Sequence, residues 1–329
     1  MNTTIAGNVV RGYVQDWPDT PSHTLASKLY KEHPKLFTNI EHARSQVRYY
    51  RGQNGGQNRV RAGNKALFKK EGSPNPFKLP KSYAKKRKPV ELDGTNFLLL
   101  YDIHIPYHDS VALDLAIEEG VKQGCDSIFL GGDVMDCHLL SNFVKEPDAR
   151  NFQEELDATR QFLKYLRSKF PTAKIYYKEA NHEERYWKYM RVKAPELLDI
   201  RDFNLQSFLG LKELGIEWVH GRTKALIGKL SLFHGHEFGK SVFSPVNVAR
   251  GLYLRAKASA VCGHSHQTSE HTERDVNDKI ITTWSIGCLS ELSPEYSPFN
   301  KWNHGFAIVK KSAGDFHVQN FRIYNGRLL

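Results

Sequence analysis

The chain has little cysteine. Its four residues, Cys125, Cys137, Cys262 and Cys288, are scattered, with no C-x-x-C pair. That argues against a disulfide framework and against a structural zinc site of the Cys type, and it suits reduced thiols in a cytoplasmic protein. Long apolar runs are also missing. No stretch of the sequence approaches the roughly 18–20 continuous apolar residues of a membrane span. The opening MNTTIAGNVVRGYVQDW lacks a basic-then-apolar signal-peptide plan. No solenoid-type repeat is present. Acidic residues are scarce in one region only. Residues 1–90 carry 18 Lys and Arg against 5 Asp and Glu, a balance of +13, which leaves 29 basic and 31 acidic residues, or −2, for the rest. The whole net charge of +11 therefore belongs to the N-terminal quarter. Such asymmetry suggests an arm for a polyanion attached to a near-neutral body.

With 329 residues and 40% apolar content, the chain can bury a sizeable core and has room for about two domains. Residues 1–52 read as a basic helical domain. Leu25, Ala26, Leu29 and Tyr30 share one helical face, and Pro34 ends that helix. Thr38-x-x-Glu41 is a capping-box signature for a second helix, in which Ile40, Ala43, Val47 and Tyr50 follow at helical spacing. The pair resembles a helix-turn-helix. Arg44, Arg48 and Arg51, beside Tyr49 and Tyr50, are its candidate nucleic-acid contacts, with Phe68 a further aromatic in the basic region. Residues 53–92 are rich in Gly, Pro and Lys, with a charge block at 85–88, and read as a linker. From about residue 93 strands and helices alternate, and the later strands follow one another closely as in antiparallel hairpins. The expectation is a mixed α/β (α+β) fold of sheets flanked by helices, with a helical cap inserted at about 184–226.

Five polar clusters stand at or just past the ends of apolar, strand-like runs. They are Asp102-Ile-His104, Gly132-Asp-Val-Met-Asp136, Asn181-His-Glu183, His234-Gly-His236 and Gly263-His-Ser-His266. Carboxylate, amide carbonyl and imidazole are donors suited to hard or borderline divalent cations. Two such metals are common machinery for in-line attack on phosphorus.

In this order the clusters resemble the motifs of the calcineurin-like metallophosphoesterases, D-x-H, G-D-x-x-D, G-N-H-[DE], H-G-H and G-H-x-H, over about residues 95–310. One position departs: Ala180 stands where that pattern has glycine before Asn-His. The resemblance implies a four-layer sandwich of two mixed β-sheets flanked by helices. It implies a first metal on Asp102, His104 and His266, a second on Asn181, His234 and His264, and Asp133 bridging them, with His236 as the alternative to His234. His182 would aid the leaving oxygen, and Asp136 would orient His182 or a ligand histidine. Arg185, a few residues on, is a candidate phosphate clamp. The cofactors would be two divalent ions, Mn²⁺ foremost, with Fe, Zn, Ni or Co as alternatives. The expected activity is phosphodiester hydrolysis by a hydroxide generated at the metals, in nucleic acid held through the basic arm, with no membrane partner. A phosphomonoesterase acting on a nucleotide, phosphoprotein or metabolite is the first alternative. A catalytically inactive DNA-binding or scaffold protein is the second. The arm beside a phosphoesterase suggests a bacterial or phage-encoded protein. Glu183 reads as the cap of a helix start.

Overall fold

A computed structural model describes residues 4–61, 79–80, 82–142, 151–239, 246–294 and 297–329. Much of the expected linker, with Phe68, lies outside the described residues. The chain divides into two units, Met1–Ala84 and Lys85–Leu329.

The first unit contains α1 (Ile5–Asp16), α2 (Ser22–Glu32), α3 (Ile40–Tyr50) and α4 (Gly55–Arg61). Val10 of α1, Leu25, Ala26 and Leu29 of α2, and Ala43 and Val47 of α3 close a small core with Phe37. Three expectations need correction here. The cap of α3 is Asn39, whose side chain accepts from the His42 amide at 2.7 Å; Thr38 pairs instead with the His42 ring. Helices α2 and α3 are joined by residues 33–39, longer than the three or four residues of a helix-turn-helix. The short helix α4 occupies part of the stretch read as linker.

Arg51 also changes role. It is only 5% exposed, and its guanidinium donates to Ser22 Oγ at 3.1 Å and to the Trp17 carbonyl at 2.9 Å. Those bonds tie the end of α3 to the α1–α2 connection, so Arg51 serves the fold rather than a nucleic acid. Arg44 pairs with Glu41 at 3.2 Å, and Arg48 is exposed. We expect Arg51→Met to destabilise this unit by about 1.5–3 kcal/mol, the range for hydrogen bonds from a charged group, read as a lower urea midpoint. A midpoint unchanged from wild type would count against the clasp.

The second unit runs through β1 (Val90–Glu91), β2 (Asn96–Leu100), α5 (Ser110–Lys122), β3 (Ser127–Leu130), α6 (Phe152–Lys169), β4 (Lys174–Lys178), α7 (Glu184–Lys193), α8 (Leu205–Phe208), β5 (Ile216–Val219), β6 (Ala225–Ile227) and β7 (Leu230–Leu232). It continues through α9 (Val248–Ala256), β8 (Ala260–Cys262), β9 (Ser269–Arg274), β10 (Ile280–Ser285), β11 (His304–Ser312), β12 (Asp315–Tyr324) and β13 (Arg327–Leu328). Seven strands form one mixed sheet, β13-β12-β11-β2-β3-β4-β5, and six form another, β1-β6-β7-β8-β10-β9.

The NFLLL run of β2 shows why the layers stack. Alternate side chains leave opposite faces of a strand. Phe97 and Leu99 meet Leu230, Leu232, Val261 and Trp284 between the sheets. Leu98 and Leu100 meet Ala116, Ile117, Leu163 and Leu166 of α5 and α6 on the other side. Helix α9 packs Val248 and Leu252 against Ala260 and Cys262 of the six-stranded sheet. The result is the four-layer sandwich that the resemblance implies. The cap is smaller than expected. Its helices are α7 and α8, while β5 and the start of β6 within 184–226 belong to the sheets: β5 pairs with β4, and β6 pairs with β1 and β7. Among the described residues no helix is long and apolar enough to cross a membrane.

Candidate metal centre

Each cluster begins within three residues of a strand's carboxyl end: β2, β3 and β4 in one sheet, β7 and β8 in the other. The neighbouring strands β2, β3 and β4 are parallel, as are β7 and β8, so within each sheet the clusters emerge at the same edge. The turns there are strained. Asp102 (φ 52°), His104 (54°), Asp133 (52°), His264 (67°) and His266 (55°) all adopt the left-handed region. Such residues cost about 1–3 kcal/mol each and persist only when their surroundings hold them. The holding bonds are visible. His104 N donates to the Asp133 carbonyl at 2.9 Å, and His264 N donates to Asp102 Oδ2 at 2.8 Å. Gly132, at φ 106°, is needed because a Cβ there would sit 2.4 Å from Ala180 Cβ and 2.9 Å from His234 Nδ1. Ala180 itself is not among the left-handed residues, so replacing glycine there introduces no backbone strain.

The side chains converge in three groups: Asp102, His104 and His266; His104, Asp133 and His182; and Asp133, His234 and His264. Within each group the donor atoms lie within 4.8 Å of one another. His104 Nε2 faces His266 Nε2 at 3.2 Å, and His234 Nε2 faces His264 Nδ1 at 3.2 Å. Asp133 Oδ2 is 3.2 Å from His234 Nε2 and 4.0 Å from His104 Nε2, so its carboxylate stands between the two histidine pairs. His234, not His236, is brought to Asp133; His236 turns toward Glu184, 3.8 Å away. Asp102 Oδ1 and Asn181 Oδ1 are buried without a hydrogen-bond partner. The Asp102 oxygen lies 3.4 Å from His266 Nε2 and 3.8 Å from His234 Nε2, and such an orphaned oxygen beside imidazole nitrogens fits a divalent cation.

The electrostatics point the same way. Burial opposes charge on Asp133, but His182 and His234 outweigh it and hold the carboxyl well below its ordinary range. Burial works against a proton on His234, yet Asp133 and Asp102 push its pKa up to about 9. His266 is likewise driven up to about 10 by Asp102 against its burial. Burial pushes His264 down to about 4. At His234 and His266 the field favours imidazolium and hence a cation, and a metal would displace those protons.

Several groups orient this set. Asp136 Oδ1 lies 2.9 Å from His104 Nδ1 and 3.0 Å from His182 Nδ1, so one carboxylate aligns both rings. His182 Nδ1 is also 2.8 Å from the Asp136 carbonyl. Arg185 donates to that carbonyl at 2.7 Å and places Nη2 3.0 Å from His182 Nε2. Glu183 corrects its expected role. No side-chain bond caps α7; the carboxylate turns inward to the Asp133, Val134 and Ala180 amides and the Tyr177 hydroxyl. Sequence reasoning missed two more. Fully buried Lys178 is 3.1 Å from Glu237 Oε1, and Glu237 accepts from the amides of His234 and Gly235. A lysine directly after the buried Ile175-Tyr-Tyr177 run of β4 was the available signal.

Glu155 accepts from the Cys137 amide beside Asp136, and burial raises its pKa from 4.5 to about 8. A carboxyl raised on folding keeps a proton that the unfolded chain has released. Its stabilisation is therefore complete below about pH 4.5 and lost as pH rises through about 8. We expect Glu155→Gln to flatten the decline of the urea midpoint across that window. An equal slope in both proteins would contradict the assignment.

No family model and no curated protein matches the sequence. Solved structures similar to the chain include vacuolar protein sorting 29 from Cryptosporidium parvum, at 14% identity over 72% of this chain and 95% of that chain, TM-score 0.39. YfcE, a phosphoesterase from E. coli, is 14% identical over 65% of this chain and 87% of its own, TM-score 0.31. A dimetal phosphatase from Danio rerio is 13% identical over 70% of this chain and 96% of its own, TM-score 0.34.

Proposed function

We propose that the protein is a two-metal phosphoesterase that hydrolyses phosphodiester bonds in nucleic acid. The observation that carries this reading is the convergence of buried Asp102, His104 and His266 on one side of Asp133 and of buried His234 with the more accessible His264 on the other. Asp102, His104 and His266 would hold one cation, Asn181, His234 and His264 the second, with Asp133 shared; Mn²⁺ suits this oxygen and nitrogen set. Bound metals would supply Lewis-acid charge and an activated water. The chain's own groups do the rest. Asp133 Oδ1 accepts the His182 amide at 3.0 Å and fixes that residue over the cluster. His182 Nδ1 faces two acceptor oxygens of Asp136 and keeps its proton there. Burial works against a second proton, but Asp133 and Asp136 raise the pKa of the ring, so Nε2 can take one up for the leaving oxygen once Arg185 Nη2, which it now accepts from, turns away. Arg185 is placed to turn its Nη2 onto a phosphoryl oxygen.

The preference for nucleic acid is supported by the basic N-terminal unit, in which Arg48 and Tyr49 are exposed. The four cysteines are all buried and unpaired, which agrees with a reducing cytoplasm. The test is turnover by the Mn²⁺-loaded protein of bis-p-nitrophenyl phosphate beside p-nitrophenyl phosphate, with single- and double-stranded DNA in parallel. We expect preference for the diester, DNA cleavage abolished by chelator, and DNA affinity lowered by Arg48→Glu with diester turnover unchanged. Preference for the monoester with intact DNA would replace this reading by a phosphomonoesterase. Inactivity on all three substrates would sink both.

A further inference from the structure

The second unit has a cavity of about 350 Å³ on the flank of the cluster. It is small for a ligand site, where volumes run from about 300 to 1,000 Å³. Two indoles line it, Trp187 from α7 and Trp218 from β5. Both are held in place. Trp218 stacks on Tyr177 at 5.1 Å and 24°, and Trp187 meets Tyr186 edge-on at 5.1 Å. The cationic lining comes from Arg87, Lys188, Arg191 and Arg222. Two carboxylates also line it. Glu184 is 3.2 Å from Lys188, and Glu179 accepts from the Gly221 amide at 2.9 Å. Arg87 lies 3.0 Å from His220 Nε2, and no ion pair engages Arg87, Arg191 or Arg222 among the described residues. The cavity adjoins the cluster: its Glu184 is 3.8 Å from His236, whose ring centroid is 5.3 Å from that of His234.

We propose that this cavity holds a nucleotide flanking the scissile phosphate of single-stranded nucleic acid. Its base would lie against Trp187 and Trp218, and its backbone phosphates on Arg87, Arg191 and Arg222. The assignment deepens the phosphodiesterase reading above and rests on it for the position of the scissile bond. Indoles accept any base face, and guanidinium groups match phosphate oxygens. A small phosphate ester without an aromatic group would use neither indole's free surface. A duplex would present its bases already stacked. The chemistry therefore selects an unpaired strand, and it places recognition in the catalytic unit independently of Arg48.

The test uses the Mn²⁺-loaded full chain and fluorescein-labelled hexathymidylate with a phosphorothioate backbone, followed by anisotropy. We expect Arg191→Glu with Arg222→Glu to raise Kd at least about 30-fold at 100 mM salt, and to make the salt dependence of log K shallower by about 1.4, or 0.7 for each of two phosphates. Turnover of bis-p-nitrophenyl phosphate, which has no flanking nucleotide, should stay within about twofold of wild type in that variant, because neither arginine is a metal-cluster residue. As a second probe, an abasic hexamer should bind wild type more weakly than hexathymidylate, and Trp187→Leu should erase the difference. An unchanged Kd in the double variant overturns the proposal, as does an equal loss of binding and small-diester turnover. If wild type cleaves no diester yet the double variant still loses hexamer affinity, the phosphodiesterase reading fails while the binding site stands.

Discussion

Asp133→Asn is expected to abolish turnover, with kcat on a diester falling at least about 10³-fold, or about 4 kcal/mol in the barrier. The substitution keeps the shape and removes the charge. An amide oxygen can still accept the His182 amide, now bonded to Asp133 Oδ1 at 3.0 Å. The amide cannot supply the negative charge that Oδ2 presents to His234 Nε2 at 3.2 Å and to His182 Nε2 at 3.7 Å. If Asp133 is shared by two cations, its loss lowers the content of both. Elemental analysis should then show less than the wild-type metal per chain, with the circular dichroism spectrum unchanged. Wild-type turnover with a wild-type metal load would defeat the two-metal reading at its centre. A fall in kcat with full metal retention would move Asp133 from shared ligand to a group that positions His182.

The residues of the candidate cluster stood out because they are tied to strand ends. A buried apolar run such as NFLLL or SIFL announces a strand, and a polar residue immediately beyond it cannot remain in the core without a task. The alternation of strands and helices followed from the same runs, while the four layers were what the resemblance implied. Features with no local signature were not legible. Strand β9, SEHTER, is polar at every position, with half-buried and exposed residues alternating, and gains its place by pairing with β10. Strand β5 has four residues, two of them buried, too few for a period to show, and so was read into the cap. Arg51 looked like an arginine on a basic helix. Only the Trp17 carbonyl, 34 positions away, and Ser22, 29 away, reveal its task. The same holds for Trp187 and Trp218, which meet in one cavity from a helix and an edge strand.

Glu183 shows how far such a remote contact reaches, and its removal is the next largest expected effect. The side chain is fully buried. Its two oxygens accept from the amides of Asp133 at 3.1 Å, Val134 at 2.8 Å and Ala180 at 3.0 Å, and from the Tyr177 hydroxyl at 3.0 Å. One carboxylate thus ties the Asp133 turn to the turn that carries Asn181 and His182. Burial and the nearby Asp133 raise its pKa, against the N–H groups that favour its charge. Alanine would leave those donors buried and unpaired, at about 1–3 kcal/mol for each that finds no water. A net loss of about 3–5 kcal/mol follows, which is about 6–20 °C in Tm for a unit the length of Lys85–Leu329. The left-handed turn at Asp133 would lose what over-determines it. Below its own melting point, Glu183→Ala should therefore bind Mn²⁺ about 10–100-fold more weakly by isothermal titration, the range seen when a group orienting a metal ligand is removed. Glu183→Gln retains one acceptor oxygen and should fall between alanine and wild type in both measures. A protein that melts early yet binds Mn²⁺ with wild-type affinity would make Glu183 a packing residue only. One that melts normally would show that the amides find other partners, and the link between the two turns would have to be sought elsewhere.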